Sequence, residues 1–148
     1  MITVLFGQPH SGKTTLASKM VADHYIDGDE LRKIFNNTDY SKEGRIKNLN
    51  RASDIAVYLD GMGLDVVVSL MYPYVECRNY LNSLNSNVNW IHLFYNEDID
   101  PRGREKFHLE DFRFPSREDT FKRYISINTS NVSIDGCVKL ITEHINNN

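Results

Sequence analysis

Lys13 and Thr14 follow directly on Gly12, and residues 7–15 read "GQPHSGKTT". This is G-x-x-x-x-G-K-[ST] at every defined position. The spacing suits a phosphate: backbone N–H groups of such a loop point inward around a β-phosphate. The following helix adds its positive end. A lysine at position 13 reaches β- and γ-phosphate oxygens, and the Thr14 hydroxyl can ligate Mg²⁺. Gly7 and Gly12 allow an approach that a Cβ would hinder. Gly7, Gln8, Pro9, His10, Ser11, Gly12, Lys13, Thr14 and Thr15 are therefore the candidate ATP-binding residues. His10, in the variable part of the loop, reads more readily as a bystander than as a catalyst.

Two further groups could do chemistry. "YIDGDELR" (25–32) sets Asp27 and Asp29 just past a short apolar run, with Arg32 after them. A carboxylate there can take a proton from an attacking hydroxyl or hold Mg²⁺-bound water. Asp27 reads as functional. For Asp29 a site role and a cap on a helix beginning at Glu30 stand level. Arg45, Asn48 and Arg51 recur at three-residue spacing. They read either as a solvated polar face or as a face that binds an anion.

These residues need elements to position them. Five apolar runs read as strands: 2–6, 24–26, 64–71, 88–95 and 124–128. "DVVVSLM" is almost continuous in Val and Leu, as in a parallel strand covered on both faces. Helical patterns lie at 13–23, 29–36, 43–62, 75–84 and 133–145, the last behind Ser133 as N-cap. Strand–helix alternation predicts an α/β fold, a five-stranded parallel sheet with helices on both faces. In such sheets ligands bind at the carboxyl ends of the strands, so Asp27 and Asp29 should face the same crevice as Lys13. The charged segment 96–119, with two prolines and a glycine, has no clean period and reads as a functional lid.

Composition bounds the reading. The chain has 148 residues, which predicts one domain over 1–148. Hydrophobic residues make 41% and charged residues 25%, as in ordinary globular proteins. A net charge of −3 argues against a nucleic-acid partner. Cys77 and Cys137 have no metal-ligand spacing and read as free thiols in a reducing compartment. No apolar run reaches the roughly 20 residues of a membrane span, and no signal-peptide pattern opens the chain. The expected location is cytoplasmic.

Taken in order, the motifs resemble the adenylylsulfate kinase (APS kinase) family of P-loop enzymes. The carriers are "GQPHSGKTT", "DGDELR", "YS" (40–41), "RIKNLNR", "GLDVVVSLM", "YPYVECR", "DPRG" (100–103) and "ISINTSNVSIDGCVKLI". The family phosphorylates the 3′-hydroxyl of adenylyl sulfate. The resemblance implies a P-loop kinase-type three-layer sandwich and a role in sulfate assimilation, with ATP as donor and Mg²⁺ as metal. It implies Lys13, Asp27 and Asp29 as catalytic residues, with Thr14 on Mg²⁺. Asp27, Arg32, Tyr40, Arg45, Asn48, Arg102 and Phe112 would bind the acceptor. Tyr40 and Phe112 are read there as a pair that sandwiches the acceptor base, or as packing residues. The partners implied are ATP and a small nucleotide, and a homodimer fits the reading. Three departures stand out. The segment before Asp-Gly-Asp is short, Tyr72 stands for the Ser of Ser-Pro-Tyr, and "RGREKFHLEDFRFP" lacks the family's Phe-Thr-Gly. They leave room for another nucleotide-linked acceptor, such as cytidine diphosphoramidate or a polynucleotide end, or for a nucleotide-binding module without turnover.

Overall fold

The computed structural model describes residues 1–96 and 109–147. Strands β1 (Ile2–Phe6), β2 (His24–Asp27), β3 (Val66–Ser69), β4 (Asn89–Phe94) and β5 (Arg123–Asn128) form one sheet. Its order is β2-β3-β1-β4-β5, and every pairing is parallel. The helices are α1 (Lys13–Lys19), α2 (Gly28–Phe35), α3 (Lys42–Gly61), α4 (Val75–Leu84) and α5 (Ile134–Asn146).

Strand alternation divides the core into two layers. Ile2, Val4, Phe6, Ile26, Val66, Val68 and Trp90 point to one face and pack with Leu31, Leu49, Ala52, Ala56 and Leu81. Leu5, Val67, Ile91, Leu93 and Ile127 point to the other and meet Leu16, Ala17, Cys137 and Ile141. Residues 2–6 are therefore buried without interruption, the pattern that two covered faces require. Both cysteines are free and buried. Among the described residues no helix is long and apolar enough to cross a membrane.

Two boundaries differ from the sequence expectation. The helix expected over 13–23 stops at Lys19, with Met20 extended. Other bonds hold the chain between α1 and β2 instead: the Tyr25 hydroxyl donates to Met20 O, and the Asp23 and His24 amides donate to Asp65 O. The strand expected over 64–71 ends at Ser69. Tyr72, just before Pro73, has φ 42°, and a chain in that conformation cannot continue a strand. Ser41 and Ser133 cap α3 and α5, accepting from the Gly44 and Gly136 amides.

Candidate active site

The turn after β1 is built around its two glycines. A Cβ on Gly7 would lie 2.0 Å from Leu93 O, and Gly7 and Gly12 have φ 149° and 96°. The Gly7 amide donates to Met71 O at 3.2 Å, fixing the loop to the end of β3. Within the loop the Lys13 ammonium donates to Gly7 O at 3.0 Å, Gln8 O at 2.7 Å and Ser11 Oγ at 3.4 Å. Among the described residues no carboxylate pairs with it. Burial pushes its pKa down to about 7. A group held this way is suited to gain from an incoming polyanion.

The register of the sheet brings the carboxylates alongside. Asp27 closes β2 opposite Ser69 of β3, and Ser69 lies opposite Leu5 of β1. The Asp27 carboxylate accepts from the Asp29 amide at 3.2 Å, so Asp27 is the N-cap of α2, which starts at Gly28. The capping role weighed for Asp29 thus belongs to its neighbour. Asp29 sits in the first turn of α2 with its side chain exposed.

One cavity of about 590 Å³ gathers most of the predicted residues: Lys13, Thr14, Asp27, Asp29, Arg32, Tyr40, Arg45 and Asn48 all line it. Pro9, His10, Gly28, Leu49, Ser69, Leu70, Met71 and Pro73 complete its wall. Arg32 donates to Asn37 O at 3.3 Å and Asp39 O at 3.0 Å, and its guanidinium lies 4.1 Å from the Tyr40 ring centroid. It thereby fixes the loop that carries Tyr40, whose ring is exposed. Arg45 reaches the Tyr74 hydroxyl at 3.5 Å and Asp111 at 3.9 Å. Asn48 is buried on the core side of α3, where its amide donates to Gly28 O at 3.5 Å and its Oδ1 has no partner among the described residues.

Other predicted positions do not line it, Phe112, Arg51 and Gln8 among them. Phe112 is buried in the core, stacked 6.0 Å from His92 and set against Phe114, so it does not line the cavity with Tyr40. Of the two readings of that pair, packing holds for Phe112: its ring and Leu109 are buried, while Phe114 stays exposed. Arg51 packs 4.5 Å over the Phe35 ring, outside the cavity wall, so the row of Arg45, Asn48 and Arg51 does not act as one face. Arg102, and with it residues 97–108 of the expected lid, lies outside the described residues. The segment from Leu109 to Asp119 packs down: Leu109 is buried, and the Arg113 amide donates to Pro73 O at 2.8 Å.

The oxygen-rich donor set of Thr14, Asp27 and Asp29 suits a hard cation such as Mg²⁺, which is held by few protein ligands together with substrate phosphates. The described residues hold no cluster of three or more His, Cys, Asp or Glu that could hold a metal ion. Sequence reasoning missed a second hollow of about 210 Å³ on the other side of the loop. It is lined by His10, Ser11, Gly12, Thr15 and Leu16, and by Thr129, Val132, Ile134 and Cys137. The "NTSNV" turn after β5 was its signal.

The adenylylsulphate kinase family profile matches residues 1–106. The chain belongs to that family. It is 31% identical over 97 residues to the cytidine diphosphoramidate kinase of Campylobacter jejuni, covering 60% of this chain and 57% of that protein. It is 29% identical over 114 residues to the adenylyl-sulfate kinase of Pseudomonas aeruginosa, covering 67% and 58%. The chain thus spans somewhat over half the length of these two kinases. The Mycobacterium tuberculosis APS kinase CysC, solved with AMPPNP and APS, superposes with a TM-score of 0.74 at 19% identity, over 98% of this chain and 96% of that one. The fold is therefore the three-layer P-loop kinase sandwich expected from the sequence.

Proposed function

We propose that the protein is an ATP-dependent kinase that transfers the γ-phosphoryl group to the 3′-hydroxyl of adenylyl sulfate, giving 3′-phosphoadenylyl sulfate. The observation that carries the reading is the single cavity shared by the loop lysine, Asp27 and Asp29, the Arg32–Tyr40 pair, Arg45 and Asn48. Phosphoryl transfer needs positioning and charge stabilisation more than covalent chemistry. Lys13 and the loop amides hold the β- and γ-phosphates, and the ammonium meets charge that grows in the transition state. Asp27 accepts the proton of the acceptor hydroxyl. Asn48, which lines the cavity beside Arg45, contributes its amide on the acceptor side. Arg45 holds its anionic group, and Tyr40, backed by Arg32, offers a face for its base. The smaller hollow beside Thr129 and Val132 offers apolar walls to the donor's base. Mg²⁺, when bound through Thr14 and the phosphates, neutralises charge on the donor. Location in the cytoplasm, one domain over 1–148 and a homodimer belong to the same proposal.

A second acceptor has support of its own. The similarity to a cytidine diphosphoramidate kinase is as strong as that to the adenylyl-sulfate kinases. The test is incubation with ATP, Mg²⁺ and each acceptor in turn, followed by mass detection of the product. Product with adenylyl sulfate establishes the first reading. Product with the cytidine compound alone keeps the kinase and replaces its acceptor. No product with any nucleotide would leave a binding module.

A further inference from the structure

Gln8 does something that its place in the phosphate loop does not require. Its side chain is buried, turned away from the cavity, and closed in a reciprocal pair with the backbone of Leu109. Gln8 Nε2 donates to Leu109 O at 3.0 Å, and the Leu109 amide donates to Gln8 Oε1 at 2.9 Å. The next loop residue is also held from outside: the Tyr95 hydroxyl donates to Pro9 O at 3.0 Å. Two consecutive residues of the loop therefore anchor both Tyr95 and Leu109, which flank residues 96–108 in sequence.

The Leu109 end leads on to the acceptor side of the cavity. Leu109 O also accepts from the Phe112 amide at 3.2 Å, closing a turn that contains Asp111. Asp111 Oδ2 accepts from the Tyr74 hydroxyl at 2.8 Å, and Asp111 Oδ1 lies 3.9 Å from Arg45. The Arg113 amide then donates to Pro73 O at 2.8 Å. Arg45 and Pro73 are both cavity walls. Hydrogen bonds, the Leu109–Phe112 turn and the Asp111–Arg45 ion pair thus link the donor loop to the residues that face the acceptor.

We infer that Gln8 is a positioning residue that makes the phosphate loop and the Leu109–Arg113 turn move as one body, so that nucleotide in the loop sets the place of Arg45 for the acceptor. The inference rests on the kinase reading for its consequence, though not for its geometry. An amide is the side chain that can both donate to and accept from one backbone residue. A pair buried at this depth is costly to leave half-made. Tight packing turns a small shift of the loop into a shift of the turn rather than a local give.

Two measurements test it. Hydrogen exchange at residues 109–113 is followed with and without a non-hydrolysable ATP analogue, in wild type and in Gln8→Leu. Wild type should gain protection there when the analogue binds, and Gln8→Leu should not, each protein being compared at its own saturating analogue concentration. Gln8→Glu, which keeps the acceptor for the Leu109 amide and loses the donor, should fall between them and serves if Gln8→Leu does not fold. In turnover, Gln8→Leu should raise the acceptor KM about fivefold or more, the lower end of usual coupling between sites, and by a larger factor than it raises the ATP KM. Adding Asp111→Asn to Gln8→Leu should raise the acceptor KM by less than Asp111→Asn does alone. No change in protection at 109–113 in wild type, equal losses for ATP and acceptor, or strictly additive variants would overturn the inference. If wild type turns over no acceptor while the protection result holds, the kinase reading fails and the mechanical link stands.

Discussion

The Arg78 guanidinium and the Asp119 carboxylate meet at 2.7 and 3.2 Å, and neither side chain has any exposed surface. Arg78 also donates to Tyr72 O at 2.8 Å. One arginine of α4 thus holds the strained residue after β3 and the chain that leads into β5. Removing one partner of a buried pair leaves an uncompensated charge, which costs about 3–5 kcal/mol. Asp119→Ala should lower unfolding stability in urea by that amount, and the double variant Arg78→Met/Asp119→Leu should lose less. A loss under about 1 kcal/mol for Asp119→Ala would mean the pair is solvated in solution.

Lys13 gives a prediction with opposite signs for the free and the bound protein. Its ammonium is desolvated among carbonyl oxygens, with a pKa pushed down to about 7 from 10.5. A cation whose folded pKa lies below its unfolded one costs stability below the folded value, and the cost fades as pH rises to the unfolded one. Lys13→Met should therefore melt higher than wild type at pH 7 without nucleotide, and the gap should narrow toward pH 9. The same variant should lose the stabilisation that ATP with Mg²⁺ gives wild type. Thermal melts across pH, with and without nucleotide, read both effects. A variant that melts lower at every pH would show that the carbonyl bonds outweigh desolvation.

How much of this could be read from the sequence depends on the range of the interaction concerned. The loop, the five strands and the Ser133 cap are local patterns, and each appears where its residues say, apart from the ends of β3. Asp27 is legible because it ends a strand, and strand ends in a parallel sheet converge. For Phe112 the sequence left stacking and packing level, because an aromatic in a charged stretch looks alike whether it faces solvent or core. Only the partner decides, and the partners of Phe112 (His92 on β4) and of Gln8 (Leu109) lie far along the chain. Tyr72 is a similar case. Its bulk is absorbed by an edge-on contact with Trp90 at 5.3 Å and a hydroxyl contact with Ser53 at 2.9 Å.

His92 should make the fold sensitive to acid. Its ring is stacked 5.0 Å from Phe6 and lies among Phe94, Phe112 and Phe114. Burial first, and then the nearby charges of Arg78 and Lys13, push its pKa down to about 4. Below its unfolded value near 6.5 the unfolded chain takes up the proton and the folded one does not. Stability should therefore fall as pH drops from about 6.5 to about 4. His92→Phe, which keeps an aromatic ring in the stack, should flatten that part of the curve. Urea midpoints at steps across this range measure it, and a slope unchanged in the variant would assign the acid loss to other groups.

Asp27 separates chemistry from structure because it serves both. Its carboxylate caps α2 through the Asp29 amide and lines the cavity beside Lys13. Asparagine caps helices about as well as aspartate, but it cannot take a proton from a hydroxyl. Asp27→Asn should keep the melting temperature within a few degrees, keep ATP binding within about threefold and lower kcat by about a hundredfold or more. Turnover at saturating ATP, set beside binding of a fluorescent ATP analogue, measures the split. Loss of ATP affinity with kcat retained would make Asp27 a ligand of the metal–nucleotide complex instead.

Arg45 carries the last prediction, which concerns the acceptor. It stands in the first turns of α3, fixed by the Ser41 cap below it and by Tyr74 and Asp111 beside it. Its contacts to these partners are long, at 3.5 and 3.9 Å, so the guanidinium has donors to spare for an anion in the cavity. A charge-assisted bond of this kind contributes about 1.5–3 kcal/mol. Arg45→Ala should therefore raise the acceptor KM by roughly ten- to a hundredfold and leave the ATP KM little changed. Arg45→Lys should recover only part of the loss, because an ammonium cannot reproduce the planar fork. Steady-state kinetics with each substrate varied in turn make the measurement. Equal rises in both KM values would place Arg45 in the shared frame of the cavity, and no rise for the acceptor would move the anion site to the Arg32–Tyr40 side.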